Sequence, residues 1–262
     1  SVRYWCVRKP RNLPIYVDQL RQAIATFGPV FVQLYGQGEA PITITGMSAA
    51  RHAELLAADD PRIGSAGQVR TDVEAHCVDE NDNPLPPGKA GEVVARGDVV
   101  MPGYWNNPEA SAEALRGGWL HTGDIGYFDE EGYLFLLDRA KDMVISGGNN
   151  VYPREVEEVI ILHPAVANCV VFGIPDEYWG EAVHAVVVPK PGETLSAEEV
   201  IAFCGEHLAG YKKPKAVDFV DELPVSGYGK ILRREVREKY WEGHAGRIGG
   251  GTKAQAQGRG AQ

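Results

Sequence analysis

The sequence predicts a mixed α/β and α+β fold, and three observations carry that prediction. Helical and strand spacings of apolar residues occupy separate stretches of the chain. Residues 64–103 then change to short strands divided by dense turn chemistry. From Arg139 onward, strands and helices follow one another as in a compact α+β unit. A chain of 262 residues can bury a core in one large or two modest domains. Its hydrophobic fraction of 44% and charged fraction of 24% are those of a soluble globular protein.

Residues 1–16 yield no clear element. Val17, Leu20, Ile24 and Phe27 fall at helical spacing, and Gly28-Pro29 supplies a stop. Residues 30–34 read as a short apolar strand running into a loop, Tyr35-Gly36-Gln37-Gly38-Glu39. Open α/β sheets place ligand contacts in such loops, although an ordinary strand exit has the same look. Val69, Val73, Ala75 and Cys77 keep the parity of one strand face, turn residues fill 79–88, and Glu92 begins a returning strand. A small antiparallel barrel or sandwich over about 64–105 is the natural reading. Asn107-Pro108 caps a short helix ending at Gly117-Gly118. Thr122-Gly123-Asp124 follows as a tight turn whose carboxylate suits sugar hydroxyls, though aspartate in a turn is also commonplace.

Residues 133–138 read as a strand, Arg139, Lys141 and Asp142 as a charged elbow, and 143–146 as a second strand. Gly147-Gly148 then turns into a helix with Pro153 at its first position and Val156, Val159 and Ile160 on its apolar face. Strands at 166–174, 182–189 and 217–220, a helix from a Ser196/Glu199 capping box to Leu208, and a helix over 231–241 complete the unit. Taken alone, two strands, a tight turn and a capped helix need no ligand. The stretch before the last helix, Pro224-Val225-Ser226-Gly227-Tyr228-Gly229-Lys230-Ile231, invites comparison with a phosphate-binding P-loop. That comparison fails, because no glycine lies six residues before Lys230 and Ile231 replaces the required Ser or Thr. What remains is a lysine at the tip of a glycine-rich loop, able to meet an anion as a point charge.

A net charge of −10 argues against a nucleic-acid binder. Residues 230–262 are the exception, with eight Lys or Arg against three Asp or Glu, either a solvated face and tail or a segment that meets an anion. Cys6, Cys77, Cys169 and Cys204 form no Cys-x-x-Cys pair, so neither a zinc site nor a disulfide framework is indicated and a reducing, cytoplasmic setting is expected. No signal peptide or membrane-crossing apolar run is visible. The chain opens at Ser1 without methionine, which suggests a piece of something larger, and residues 243–262 read as a disordered tail.

One ordered series spans the chain: Tyr-Gly-x-x-Glu at 35–39, Trp-x-x-Thr-Gly-Asp at 119–124, Asp-Arg-x-Lys-Asp at 138–142, Ser-Gly-Gly with Asn150, Tyr152-Pro153, Glu155-Val156-Glu157, then Gly229-Lys230-Ile231. Over roughly residues 14–242 it resembles the carboxy-terminal half of the adenylate-forming superfamily of acyl-CoA synthetases, firefly luciferase and peptide-synthetase adenylation domains. The resemblance implies the end of a large adenylation domain over 1–138 and a rotating C-terminal domain over 139–242. It implies ATP, magnesium, coenzyme A and a small carboxylic acid as reactants. Tyr35 and Gly36 would lie at the adenine, Glu39 at the triphosphate and its magnesium, and Asp124 at the ribose with Arg139 nearby. Lys141 would be the hinge, Lys230 the lysine that reaches the carboxylate and α-phosphate, and Gly147 and Gly148 the border of the coenzyme A pantetheine channel.

Two positions depart from the family pattern. Gly38 stands where Thr is usual, and Arg11-Asn12-Leu13-Pro14 stands where a Gly-Gly-Ala-Pro run would bring backbone close to the adenylate. The family's amino-terminal phosphate loop and most of its acyl pocket have no counterpart. The expectation is an acid–thiol ligase that forms acyl-CoA through acyl-AMP. A fatty or related acid is favoured by the segments 40–45 and 240–243. A carrier-loading adenylation domain and an inert truncated fragment that at most binds nucleotide or CoA are the alternatives.

Overall fold

The computed structural model describes residues 5–8, 17–227 and 231–242. After Asp142 the chain divides into two units, each with its own apolar core.

In the first unit, β1 (Trp5–Arg8) pairs in parallel with β2 (Phe31–Gln37), and α1 (Val17–Phe27) connects them in sequence. β2 turns through Gly38 and Glu39 into antiparallel β3 (Ala40–Met47). The stretch expected to be a loop after Leu34 is therefore the end of one strand and a hairpin turn. Alternate burial of Phe31, Gln33 and Tyr35 marks the strand, a period that the two following glycines obscure in sequence. Gly36 is demanded by the hairpin itself, since a Cβ there would collide with the Ala40 carbonyl oxygen and sit 2.8 Å from Ile42 Cα. β3 bulges opposite it, and Ile42 adopts φ 49°, which β-branched residues ordinarily avoid.

Helix α2 (Ala49–Ala57), unanticipated, starts where Ser48 Oγ accepts the Arg51 N–H at 3.1 Å. It buries Leu55 with Leu20, Ile24, Phe31 and Met47. β4 (Gln68–Val69) ends this sheet, whose order is β1-β2-β3-β4. A second, antiparallel sheet follows as a meander of β5 (Glu74–Val78), β6 (Gly91–Arg96), β7 (Leu120–Phe128) and β8 (Leu134–Arg139). The small antiparallel element read over 64–105 thus continues to Arg139, while Val69 joins the neighbouring sheet. Between β6 and β7, α3 (Pro108–Ala114) is capped by Asn107, whose side chain accepts the Ala110 N–H at 3.2 Å.

The second unit is organised by two near-continuous apolar runs, β11 (Val166–Asp176) and β12 (Gly180–Pro189), which pair antiparallel. Strands apolar on both faces need cover on both faces. On one, Val171, Val183, Ala185 and Val187 meet Val156 and Ile160 of α4 (Pro153–Ile160) and Val200 and Cys204 of α5 (Ala197–His207). On the other, Val170, Phe172 and Val186 meet Leu223 and Val236, the latter on α6 (Arg233–Trp241). β9 (Val144–Ser146) and β10 (Asn149–Val151) extend the sheet on one side of β12, and β13 (Ala216–Phe219) pairs with β12 in parallel. The last helix begins at Arg233 rather than 231, because Ile231 bridges to Val225 instead.

Candidate active site

Three expected site residues from three strands meet in the first unit. Asp124 on β7 and Arg139 on β8 are register partners, so the ladder sets opposite charges side by side. Arg139 Nε donates to Asp124 Oδ1 at 3.1 Å, and Tyr35 Oη, from β2, donates to Asp124 Oδ2 at 2.8 Å. Both carboxylate oxygens are thereby fixed, with the Asp124 side chain 14% exposed. Burial raises the Asp124 carboxyl above the ordinary range, opposed by the charge of Arg139 and the hydrogen bond from Tyr35. Burial, then the neighbouring carboxylate, pushes the Tyr35 phenol well up, so it is a donor rather than a base. A carboxylate with one donor on each oxygen keeps lone pairs free to accept a pair of hydroxyls.

Asp124 reaches this position because β7 breaks its ladder with β6. Val94 pairs with His121 and Glu92 with Ile125, so residues 122–124 oppose Val93 alone. The Thr-Gly-Asp segment is therefore a bulge inside a strand, not a tight turn between elements. Gly123 takes φ 67° there. Thr122 Oγ1 donates to the Val93 carbonyl at 2.7 Å and accepts the Asp124 N–H at 3.1 Å. Glu92 Oε1 accepts the Gly123 N–H at 2.9 Å.

Glu39, in the β2–β3 turn, is half-buried. Tyr104 Oη donates to its Oε1 at 2.7 Å, and the Met101 N–H donates to its carbonyl at 2.8 Å. Its other oxygen, Oε2, is buried without a hydrogen-bond partner among the described residues. An anchored carboxylate oxygen with no donor suits a hard cation such as magnesium, which takes one or two carboxylates and completes its shell with phosphate and water. Gly36 contributes backbone beside this turn and no side-chain chemistry.

Lys141 is exposed in the turn after β8, which closes through the Asp142 N–H to the Arg139 carbonyl at 2.9 Å. In the second unit, Gly147 and Gly148 form the two-residue turn of the β9–β10 hairpin, with φ 56° and 78°. The Gly147 N–H donates to the Trp179 carbonyl at 2.8 Å, and a Cβ on Gly147 would lie 2.6 Å from Trp179 Cε3. Lys215 Nζ stands 4.9 Å from the Trp179 ring centroid. Lys230, Arg11-Asn12-Leu13-Pro14 and the tail at 243–262 lie outside the described residues. The sequence alone carries no signal for Glu92, Tyr104 or Trp179, because each acts on a residue far away in the chain.

The AMP-binding enzyme family matches residues 13–105, and the AMP-binding enzyme C-terminal domain family matches residues 155–230. The chain belongs to the adenylate-forming superfamily. Within it, the chain is 46% identical over 213 residues to a feruloyl-CoA synthase from an Amycolatopsis species, covering 81% of this chain and 42% of that protein. It is 41% identical over 239 residues to the medium/long-chain-fatty-acid–CoA ligase FadD8 of Mycobacterium tuberculosis, covering 88% of this chain and 41% of that one. The crystal structure of ATP-bound MatB from Rhodopseudomonas palustris matches with a TM-score of 0.79 at 35% identity, over 88% of this chain and 44% of that chain. This member of the superfamily therefore spans less than half the length of these relatives. Asp124 and Arg139 fall between the two matched segments, so their meeting with Tyr35 comes from the structure. Among the described residues, no helix is long and apolar enough to cross a membrane.

Proposed function

We propose that this chain carries the nucleotide-facing and thiol-facing parts of an ATP-dependent acyl-CoA synthetase. The observation that carries the reading is Asp124 held between Tyr35 and Arg139 with acceptor capacity left for the ribose hydroxyls. Tyr35 then lies against the adenine, next to the ribose it helps to fix. Glu39, through Oε2, would hold the magnesium that accompanies ATP, and the ion when bound would offset the negative charge of the phosphates.

In the first half-reaction a carboxylate oxygen attacks the α-phosphorus of ATP, the bond to the β-phosphate breaks, and pyrophosphate leaves. Two anions must approach, so a positioned cation dominates the barrier, and Lys230 is assigned that task. Its removal should cost on the order of 3 kcal/mol in the barrier. In the second, the coenzyme A sulfur attacks the acyl carbon, AMP leaves, and the thiol proton passes to solvent. The turn at Gly147 and Gly148, with Trp179 behind it, borders the pantetheine path, and Lys141 is the pivot between the two steps.

An amino-terminal region bearing the phosphate loop and most of the acyl pocket completes the site. A fatty or related acid is the favoured substrate, in keeping with the names of FadD8 and of a Bacillus subtilis long-chain relative, whereas the feruloyl-CoA synthase keeps aromatic acids in view. The test is acid-dependent exchange of labelled pyrophosphate into ATP across fatty and aromatic acids, by this chain alone and supplemented with an amino-terminal half. Exchange above a Lys230→Ala control identifies the acid. A folded chain that binds AMP yet exchanges nothing in either format supports the second reading, an inert nucleotide-binding fragment.

A further inference from the structure

We infer that Glu92 is a positioning residue that sets the direction of Asp124 by holding the amide of Gly123. The inference depends on the nucleotide reading only for its functional consequence. Where β7 bulges, the ladder with β6 supplies no acceptor for the Gly123 N–H, and Glu92 Oε1 takes it at 2.9 Å. Glu92 is itself held at its other oxygen. Arg116 Nη2 donates to Oε2 at 3.1 Å, and His121 Nδ1 lies 3.0 Å from the same atom. Arg116 is steered in turn by Asp82, whose Oδ2 and Oδ1 accept from its Nε and Nη2, each at 3.1 Å. The turn at 79–83, the turn at 116–118 after α3 and two strands are thus linked through one carboxylate.

Strand pairing does not require an acid at position 92. An apolar residue would continue β6 equally well, but it could not accept the Gly123 N–H. Without that bond the bulge is free to relax toward a regular ladder. The three residues 122–124 that oppose Val93 then lose the contact that fixes the Gly123 backbone, and rotation there carries the Asp124 carboxylate away from Tyr35 and Arg139. Glu92 thereby sets the direction in which the Asp124 carboxylate points, without itself touching the nucleotide.

The test follows the Arg139 Nε–H by nuclear magnetic resonance, since that proton is bonded to Asp124. Its exchange with solvent should accelerate at least tenfold in Glu92→Leu, which matches the side chain in size and removes the acceptor. The Arg62 Nε–H, bonded to Asp60 in the same unit, should stay within about twofold of wild type. An unchanged Arg139 rate, or equal acceleration at Arg62, overturns the inference, the latter because it marks general loosening. If Glu92→Leu does not fold, Glu92→Asp withdraws the carboxylate by one methylene and carries the same two outcomes. Calorimetry with AMP and 2′,3′-dideoxy-AMP then separates the two claims. Wild type should prefer AMP at least tenfold, and Glu92→Leu should lose that preference. A wild-type chain with no preference defeats the ribose reading and leaves the positioning result standing on the Arg139 signal. A retained preference in Glu92→Leu overturns the positioning role.

Discussion

Asp124 on β7 and Gly147 in the β9–β10 turn are held by different kinds of force, although each marks a place where a ligand is proposed to bind. Asp124 is fixed by charge and hydrogen bonds from Tyr35 and Arg139. Gly147 is fixed by shape, with a left-handed backbone and the Trp179 ring where a side chain would go. A cluster of the first kind suffers when a partner is removed, because a part-buried charge is left unpaired. A turn of the second kind suffers when atoms are added. Loss and gain of atoms should therefore expose the two regions separately.

The largest effect is expected from Gly147→Ala, which must place a Cβ 2.6 Å from Trp179 while keeping φ 56°. About 3 kcal/mol of the second unit's stability should be lost, from overpacking and left-handed strain together. Gly148→Ala, with φ 78° and nothing within 4 Å, bears the backbone cost alone. It should lose about 1 kcal/mol. Urea unfolding followed by tryptophan fluorescence measures both, and equal losses would remove Trp179 from the explanation.

Next in size is Arg139→Met. It deletes the ion pair with Asp124, whose side chains are 24% and 14% exposed, and should destabilise the first unit by about 1–2 kcal/mol. The pH dependence sharpens the contrast. Asp124 binds its proton more tightly in the folded than in the unfolded chain, so its ionisation subtracts stability as pH rises from the ordinary aspartate range through its folded value. Arg139 opposes that shift, so the variant should move the window to higher pH. AMP affinity, which needs the ionised form, should then fail at a higher pH on acidification, as read by calorimetric titration. Tyr35→Phe removes the weaker opposing influence and a single hydrogen bond, so about 1 kcal/mol and a smaller pH displacement are expected. The smallest effect concerns the thiols. Burial pushes Cys77 and Cys204 up to about 11, so both should resist a thiol-specific disulfide reagent at pH 8 until urea unfolds the chain.

Local signals were legible in the sequence wherever the physics is local. The Ser196/Glu199 capping box forms in both directions, with the Ser196 N–H to Glu199 Oε2 at 2.8 Å and the Glu199 N–H to Ser196 Oγ at 3.2 Å. Helix α1 and the Asn107 cap follow their spacing for the same reason. β3 was not legible, since the turn at Gly38 and Glu39 lay inside a stretch read as a ligand loop; α2, with its local Ser48 cap, is the exception to the rule. β10 has three residues, too few to show a period. The family series named Tyr35, Asp124 and Arg139, but their contact spans 89 residues between Tyr35 and Asp124. The bulge that aims Asp124 exists only once β6 lies alongside β7, so the roles of Glu92 and Thr122 had no trace in either strand's own pattern.

The pairing of β11 with β12 also bears on how fast the second unit forms. The two strands run register-matched from Asp176 and Gly180 outward to Asn168 and Val188, with an irregularity before Val166 and Pro189. Asp176 Oδ1 accepts the N–H groups of Tyr178 and Trp179, at 2.9 and 2.7 Å, and so shapes the link from within. Contacts so close in sequence form within about 1–10 μs, whereas the parallel docking of β13 must wait for a long connection to close. The hairpin is thus the natural nucleus of the unit. Asp176→Ala should mainly slow refolding and Val217→Ala mainly hasten unfolding, a division that stopped-flow kinetics resolves.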